Sequence, residues 1–403
     1  MNEGSNLSTD RAGANHHTSV LPGGFLRISL RATDESAVAA VAVGALTADG
    51  AAEARRTIQS WEAYEPTPLV ALPVLARALG VGAVSCKDES ARFGTGSFKS
   101  VGGAFAVLRA LQDEIERETG RRPSADELRS DHRIAAKITT ITASAGNHGR
   151  SVAWGSEQFG CDCVVVLPTD AIAARATAIE SHGARVERFD GAYDEAVGRA
   201  RREAERNGWL VVSDTAYEGY EETPRRIMEG YTLLAEEMLD VVESAGDPPL
   251  THLFVQGGVG GLATGVCGRI LERLGDNRPR FIVVEPWRAD CFGRSLRAGR
   301  LVSAPPPFET EMGGLAAGVP STLAWDFLKT AFDGAIALPE SVWIAGAEAL
   351  KDGELGSAID AGPSGAAGVG ALLALTRLPA ARALLGLDEH SHVAVLVTEK
   401  RFG

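Results

Sequence analysis

The sequence is poor in cysteine. It has five cysteines among 403 residues, an odd number, at scattered positions. This spacing does not describe a disulfide framework of the kind that stabilises small secreted domains. Cys161 and Cys163 flank Asp162, but no second cysteine or histidine pair follows at ligand spacing. We therefore predict structural thiols and no metal site.

The sequence also lacks long hydrophobic runs and an excess of positive charge. Its apolar runs, such as Cys163–Leu167, are too short to span a membrane. The first residues are polar and lack the basic start and apolar segment of a signal peptide, so His16 and His17 are expected in a frayed tail. The net charge of −13 disfavours a nucleic-acid partner, because binding phosphates needs clustered Lys and Arg. We expect a cytoplasmic protein with neither a membrane nor a nucleic-acid partner.

The pattern that is present is alternation of short β-branched runs with helical stretches. The predicted strands are Ala83–Lys87, Lys137–Ala143, Cys163–Leu167, Leu210–Ser213, His252–Gln256, Phe281–Glu285 and His392–Thr398. The predicted helices are Gly103–Thr119, Gly149–Phe159, Ala171–His182, Asp194–Asn207 and Pro224–Val242. This alternation predicts an α/β fold with mostly parallel sheets covered by helices, and the length suggests two domains.

Three polar or glycine-rich turns follow predicted strands, where ligands of α/β proteins bind. The first runs from Lys87 to Lys99 and opens a helix. A lysine held near the positive end of a helix is disfavoured as ammonium, which makes its amine more nucleophilic. Most lysines, however, simply lie on the surface.

The second turn is Ser144-Ala-Gly-Asn-His-Gly149. It can offer backbone N–H groups to an anion, and Asn147 can donate from its amide. It can equally be an ordinary strand-to-helix turn, in which His148 packs or forms a local hydrogen bond.

The third turn is the glycine loop Gln256-Gly-Gly-Val-Gly-Gly-Leu-Ala-Thr-Gly265. Its glycines allow the backbone to approach a phosphate, and the following helix presents its N-terminus. The run Gly258–Ala263 also fits a loose dinucleotide-binding pattern, which is a weak signal this late in the chain.

Together the three turns resemble the fold-type II pyridoxal-phosphate enzymes, the group of tryptophan synthase β and threonine dehydratase. The resemblance implies that Lys99 forms a Schiff base with pyridoxal phosphate, that Phe98 packs against its ring and that Asn147 contacts its phenolic oxygen. The phosphate would lie on Gly257, Gly258, Val259, Gly260 and Gly261, and Thr398 would face the pyridine nitrogen.

A more specific resemblance, from about Trp61 to Thr398, is to the 2,3-diaminopropionate ammonia-lyases. It rests on motifs shared along the chain: Tyr64-Glu-Pro-Thr-Pro-Leu69, Lys87-Asp-Glu-Ser-Ala-Arg-Phe-Gly94, Gly146-Asn-His-Gly-Arg150, Asp214-Thr-Ala-Tyr-Glu-Gly219, Met228-Glu-Gly-Tyr231, Val284-Glu-Pro286, Ala289-Asp-Cys291 and Met312-Gly-Gly-Leu-Ala316. It implies a homodimeric lyase of amino-acid metabolism.

The chain departs from that group at three places. Ala145 stands where the lyases carry an aspartate, Gly362-Pro-Ser-Gly365 replaces Gly-Glu-Ser-Gly, and Thr398-Glu-Lys-Arg replaces Thr-Glu-Gly-Asp. The cofactor residues match, whereas the substrate pocket differs.

The resemblance also implies the domain organisation. After a flexible tail, 1–30, a large cofactor-binding domain would comprise 31–135 and 208–403, and a small domain would comprise 136–207. The cofactor would lie in the cleft between them, a usual place for ligands.

The implied reaction is β-elimination from a small β-substituted amino acid, giving pyruvate and ammonia. Lys99 would also take the Cα proton. Asp214 would bind or protonate the distal amine, or else cap the following turn. The expected substrate residues are Ser144, Ala145, Asp214 and Glu285.

Two alternatives stay open. A β-replacement synthase would use the same motifs and add a nucleophile to the same three-carbon unit. A non-catalytic nucleotide-binding module would explain the glycine loop but would leave Lys99 and Asn147 without a role.

Overall fold

The computed structural model describes residues 16–20, 26–31, 45–144, 146–169, 171–191 and 193–402. The strands, numbered along the chain, are β1 His16–Val20, β2 Arg27–Arg31, β3 Leu69–Ala71, β4 Ala83–Asp88, β5 Thr139–Ala143, β6 Asp162–Pro168, β7 Arg185–Phe189, β8 Leu210–Val211, β9 His252–Gln256, β10 Arg280–Pro286, β11 Gly334–Leu338 and β12 His392–Val397.

The α-helices of the same residues are numbered in the same way. They are α1 Ala48–Gln59, α2 Pro73–Leu79, α3 Lys99–Thr119, α4 Ala125–Ser130, α5 Asn147–Phe159, α6 Ala173–Glu180, α7 Tyr193–Asn207, α8 Glu222–Ala245, α9 Gly261–Leu274, α10 Cys291–Ala298, α11 Thr322–Ala331, α12 Glu340–Lys351, α13 Pro363–Leu375 and α14 Pro379–Leu385.

The chain divides into two compact units, which are named here after their sheets. The eight-stranded unit comprises Met1–Ala45, Pro66–Ser90 and Leu234–Arg401. The four-stranded unit comprises Leu46–Glu65, Ala91–Leu233 and Phe402–Gly403. The small domain expected at 136–207 lies within the four-stranded unit, which is larger than that segment.

The sheet of the eight-stranded unit has the order β1-β2-β11-β10-β9-β12-β4-β3. Its central strands, from β11 to β4, are parallel. Strands β9, β11 and β12 are buried along their whole length, and β10 is buried except at Arg280. Continuous apolar strands of this kind are typical of a sheet covered on both faces. The predicted mostly parallel α/β architecture is confirmed for this sheet.

The structure differs from the expected tail at the N-terminus. Strands β1 and β2 pair antiparallel with each other, and β2 pairs antiparallel with β11, placing Ile28 beside Ile336. Arg27–Arg31 alternates apolar with polar residues over only five positions, a weak signal for a strand whose stability comes from its neighbour. Residues 1–15 of the expected tail lie outside the described residues.

The sheet of the four-stranded unit has the order β7-β6-β5-β8, and all its pairs are parallel. Its core contains Ile141 and Ala143 from β5 and Val164 and Val166 from β6, covered by three alanines of α7. Strand β8 ends at Val211, two residues earlier than predicted. The N–H of Val212 still donates to the carbonyl of Ile141 in β5, but the N–H of Ser213 donates to the hydroxyl of Tyr220, so the pairing with β5 ends there.

Helix α3 packs against two helices at unusually close range. A Cβ on Gly102 would lie 2.4 Å from the carbonyl oxygen of Ile227 in α8, and a Cβ on Gly230 would lie 2.8 Å from the Cα of Gly102. On the α5 side, a Cβ on Gly155 would lie 2.7 Å from the Cα of Ala104. Real Cβ atoms do not approach backbone this closely, so these glycines set the position of α3.

Among the described residues, no single helix has the length and hydropathy needed to cross a membrane. Helices α13 and α14 meet that requirement only as a pair, with a bend of 113° between them. Most residues of α13 are buried in this fold.

The five cysteines form no disulfide, and four of them are buried, Cys161 being half-buried. Burial raises the pKa of the Cys161 thiol to about 12 and that of Cys163 to about 11. Thiols in such surroundings are unreactive structural groups.

The contact between α3 and α8 leads to a stability prediction. Gly230→Ala should lower the free energy of unfolding by about 1–3 kcal/mol, because the new methyl group meets backbone atoms that cannot move aside. Urea denaturation followed by circular dichroism measures this. Gly198→Ala in α7 is the matched control: its Cβ would meet only the mobile end of Arg202, so it should gain up to about 1 kcal/mol of helix propensity. Equal stability of the two variants would contradict the packing argument.

Candidate active site

Lys99 is the first residue of α3, and its amine faces a carboxylate. The Nζ atom lies 2.6 Å from Oδ2 of Asp214, with 17% of the lysine side chain and 13% of the aspartate side chain exposed. The Nζ also lies 5.5 Å from the centre of the Phe98 ring. Phe98 is buried and packs at 4.8 Å against the ring of Tyr231 in α8. The sequence prediction of a lysine at a helix start is confirmed, and the fold adds an acidic partner.

Asp214 follows β8, and a tyrosine hydroxyl holds the segment that carries it. The hydroxyl of Tyr220 accepts the N–H of Ser213 and donates to the carbonyl of Val211, both at 2.9 Å. Burial alone would raise the pKa of Asp214, but the ammonium of Lys99 outweighs it and holds that pKa well below its usual range. Asp214 is therefore an anion over the whole physiological pH range.

The following turn is capped by Ser213, and not by Asp214 as the alternative interpretation expected. The hydroxyl of Ser213 accepts the N–H of Thr215 at 3.4 Å, while the carboxylate of Asp214 is directed at Lys99. Tyr217 and Tyr220 close the turn and stack at 4.9 Å, with Arg201 over the Tyr217 ring.

The turn that contains Asn147 links β5 to α5. Ser144 is buried, and its hydroxyl accepts the N–H of Gly146 at 3.1 Å, which leads the chain into the first turn of α5. Ala145 lies outside the described residues. His148 is buried; its Nε2 lies 2.9 Å from the carbonyl of Val212, and its Nδ1 lies 3.9 Å from Oδ2 of Asp214. His148 packs in the interior, as one expectation had it, but its hydrogen bond is to a residue 64 positions away in the sequence and its second nitrogen faces the acid.

The glycine loop of the eight-stranded unit follows β9 and leads into α9. Gly258 and Gly260 have φ angles of 61° and 99°, which favour glycine, and a Cβ on Gly258 would lie 2.9 Å from the carbonyl oxygen of Gly314. Among the described residues, the N–H groups of Gly258, Val259 and Gly261 donate to no protein acceptor. Several unpaired amides at the start of a 14-residue helix form an anion-binding cradle.

Two further predicted residues lie at the same edge of that sheet. Strands β10, β9 and β12 are neighbours and parallel, so Glu285, the glycine loop and Thr398 all lie at the carboxyl ends of adjacent strands. Thr398 is buried directly after β12.

Glu285 makes contacts that the sequence did not indicate. Its carboxylate accepts the N–H groups of Phe292 and Gly293, at 2.9 and 2.7 Å, and so caps the start of α10. Burial raises its pKa to about 8, although the two N–H groups act in the opposite direction. A role for Glu285 toward the substrate stays a prediction.

Comparisons with known proteins show the family to which the chain belongs. The family model "Pyridoxal-phosphate dependent enzyme" matches residues 61–399. Diaminopropionate ammonia-lyase of Escherichia coli (strain K12) is 37% identical over 353 residues, which cover 86% of this chain and 87% of the relative. The enzyme of the same name from Salmonella typhimurium is 36% identical over 83% of this chain and 85% of its own length.

Solved structures give the same result. The holo form of Escherichia coli diaminopropionate ammonia-lyase superposes with a TM-score of 0.83 at 34% identity, over 93% of both chains. The same enzyme has been solved with D-serine, at a TM-score of 0.83 and 33% identity over 96% of this chain and 95% of that one. This chain belongs to the family of pyridoxal-phosphate-dependent enzymes and has the fold-type II architecture of that family. Within the family it is similar to the diaminopropionate ammonia-lyases.

The cofactor of this family is pyridoxal phosphate, and the observed groups fit it chemically. The unpaired amides of Gly258, Val259 and Gly261 suit a phosphate dianion. A Cβ at Gly258 would clash with the carbonyl oxygen of Gly314, so the loop requires glycine there. The amine of Lys99, beside a carboxylate that can take part in proton transfer, suits an aldehyde.

Sequence reasoning missed Tyr220 and the second nitrogen of His148. Tyr220 lies directly after the motif 214–219. Nothing in the spacing of that motif indicates that its hydroxyl bonds to the backbone of Val211 and Ser213. A buried histidine one residue from a predicted cofactor residue was the available signal for His148.

The hydroxyl of Tyr220 leads to a second prediction. Tyr220→Phe should lower the free energy of unfolding by about 1–3 kcal/mol, because it leaves the N–H of Ser213 and the carbonyl of Val211 without their partner. Tyr217→Phe is the control, since among the described residues no side-chain or backbone group bonds its hydroxyl; a change within about 0.5 kcal/mol is expected. Chemical denaturation measures both, and no difference between them would rule out the bridging role.

Proposed function

We propose that this chain is a pyridoxal-phosphate-dependent lyase that eliminates the β-substituent of a small amino acid resembling 2,3-diaminopropionate. The products are pyruvate and ammonia. The observation that carries the proposal is the contact of 2.6 Å between Nζ of Lys99 and Oδ2 of Asp214, because it places an amine beside an acid at a helix start. The two enzymes named diaminopropionate ammonia-lyase, similar over most of their length, support it.

The cofactor residues have separate tasks. Pyridoxal phosphate, when bound, supplies an aldehyde for an amine and a ring that accepts electrons from Cα. We assign its covalent attachment to Lys99, its phosphate to the amides of Gly257–Gly261 and its ring nitrogen to the buried hydroxyl of Thr398. Phe98, which packs against Tyr231, would give the ring an apolar neighbour, and Asn147 would contact the phenolic oxygen.

The residue that binds the β-amine of the substrate is assigned from the charges of the two groups. A protonated β-amine carries a positive charge, and the anionic carboxylate of Asp214 is the partner it requires. Lys99 takes the Cα proton as a free amine, the bond from Cβ to nitrogen breaks, and the β-amine, already protonated and paired with the carboxylate of Asp214, departs as ammonia. The released three-carbon enamine hydrolyses to pyruvate and a second ammonia. Ser144 shapes the turn beside the substrate.

The cellular location, the oligomeric state and the domain boundaries are assigned from the resemblance to the lyases. We place the protein in the cytoplasm as a homodimer, with 136–207 as the small domain and 31–135 and 208–403 as the large domain. The acidic composition, with a net charge of −13, supports a soluble location.

The attachment point can be tested directly. Borohydride should reduce the cofactor onto Lys99, and peptide mapping should find the label there. Lys99→Ala should lose the visible absorbance of the bound cofactor and all turnover while keeping its circular dichroism spectrum. The exposed Lys137→Ala is the control and should keep both absorbance and turnover. A label on another lysine would disprove the assignment.

The substrate can be tested with both enantiomers of diaminopropionate. With Ala145 in place of an aspartate, one face of the substrate lacks a base, so pyruvate formation should favour the L form by about a hundredfold in kcat/KM. Ala145→Asp should raise activity on the D form, whereas Ala145→Asn, of similar shape but not basic, should not. Comparable rates for D and L would refute this account. Replacement of the β-group by an added thiol, without pyruvate, would identify a β-replacement enzyme.

A further inference from the structure

The two ring nitrogens of His148 have opposite surroundings. Nε2 lies 2.9 Å from the carbonyl oxygen of Val212, which can only accept, so Nε2 carries the hydrogen. In the neutral ring Nδ1 is then a bare lone pair. It is buried, and among the described residues no group donates to it.

Nδ1 faces Oδ2 of Asp214, at a distance of 3.9 Å. This distance is about 1 Å longer than a hydrogen bond, as expected when two acceptors face each other. One added proton would turn the contact into an N–H···O bond. The same oxygen lies 2.6 Å from Nζ of Lys99, so Oδ2 has the amine on one side and the imidazole on the other.

Burial is the main reason that His148 is neutral. Burial lowers the pKa of His148; Asp214 opposes this, and Lys99 acts in the same direction as burial. The other titratable groups of the cluster are Tyr231, which faces Lys99 and Asp214, and Tyr220, which faces Asp214. Burial raises the pKa of Tyr220 to about 12, and that of Tyr231 further, so neither takes part at neutral pH.

We propose that His148, acting through Asp214, accepts the proton that Lys99 must release before its amine can bond to the cofactor aldehyde. This inference rests on the proposed role of Lys99. An ammonium has no lone pair with which to attack a carbonyl carbon, so one proton leaves Nζ, and the oxygen that departs as water takes one back. Between these events the proton passes by Oδ2 to Nδ1.

This transfer keeps the charge of the buried cluster constant. Ammonium, carboxylate and neutral imidazole sum to zero, and so do neutral amine, carboxylate and imidazolium. No charge therefore has to be created or lost in a poorly solvated place. Asp214 alone is a poor proton acceptor, because the pKa of its carboxyl lies well below the usual range.

The test measures how fast the cofactor-free chain takes up pyridoxal phosphate, by absorbance, from pH 6.5 to 8.5. His148→Gln keeps a donor for Val212 but has no basic nitrogen. In the wild type the proton stays inside the cluster, so the supply of neutral amine does not depend on bulk pH. In His148→Gln the proton must leave to water. The ratio of wild-type to variant rate should therefore fall by about tenfold per pH unit as pH rises, and the ratio cancels the titration of free cofactor.

His182→Gln is the matched control. His182 pairs through Nδ1 with the half-exposed Glu157 in the same unit, and its variant should track the wild type at every pH. A constant ratio between His148→Gln and wild type, even with slower uptake, would show a purely structural role and overturn the proposal. No amino-acid substrate enters this measurement, so a failure of the lyase assignment would leave its result intact.

A second measurement uses the wild type alone, so its result does not depend on whether a variant folds. Nitrogen-15 NMR of the cofactor-free wild type should show His148 with Nε2 protonated and Nδ1 bare at neutral pH. A protonated Nδ1 in that state would overturn the proposal, because the nitrogen could then accept nothing.

Discussion

The close approach of three helices is the constraint on which the surroundings of Lys99 depend. Glycine at 102, 155 and 230 lets α3 lie against α5 and α8 with backbone touching backbone. Lys99 begins the first of these helices, Asn147 and His148 begin the second, and Tyr231 lies on the third. Rigid secondary structure thus holds the reactive amine and its neighbours, and a site on helices is positioned more precisely than one on loops.

Charge is distributed unequally between the two sets of site residues. In the four-stranded unit the groups form a compensated cluster, in which one ammonium faces one carboxylate and a neutral ring. In the eight-stranded unit the glycine loop offers partial positive charge from amides and a helix start, with no formal cation in its sequence 256–265. A phosphate held by fixed dipoles needs no side chain to rearrange. The amine of Lys99, held by a carboxylate, keeps its proton close to two acceptors, Asp214 and His148.

The sequence predicted the central architecture well because buried parallel strands are continuous apolar runs. His252–Gln256 was predicted without error, and β12 differs by one residue. The N-terminal strands were missed because their order depends on pairing with β11. Helix α3 begins at Lys99, as the preceding turn predicted, four residues before the start of the helical pattern at Gly103. The pairing of Lys99 with Asp214 joins residues 115 positions apart, and no local pattern can encode such a contact. The role of Glu285 as a helix cap could not be predicted, because it depends on how the fold brings the N–H of Phe292 to its carboxylate.

The raised pKa of every native thiol has a practical consequence. Since burial suppresses the thiolate of Cys86, Cys163, Cys267 and Cys291, and the pKa of Cys161 is raised as well, maleimide reagents meet almost no background in the folded protein. A single cysteine introduced at an exposed position, such as Ile172 with half of its surface accessible, would be the dominant reactive thiol. Fluorophores or spin labels can therefore be attached to the native background, and conformational exchange followed by spectroscopy without first removing five residues from the core.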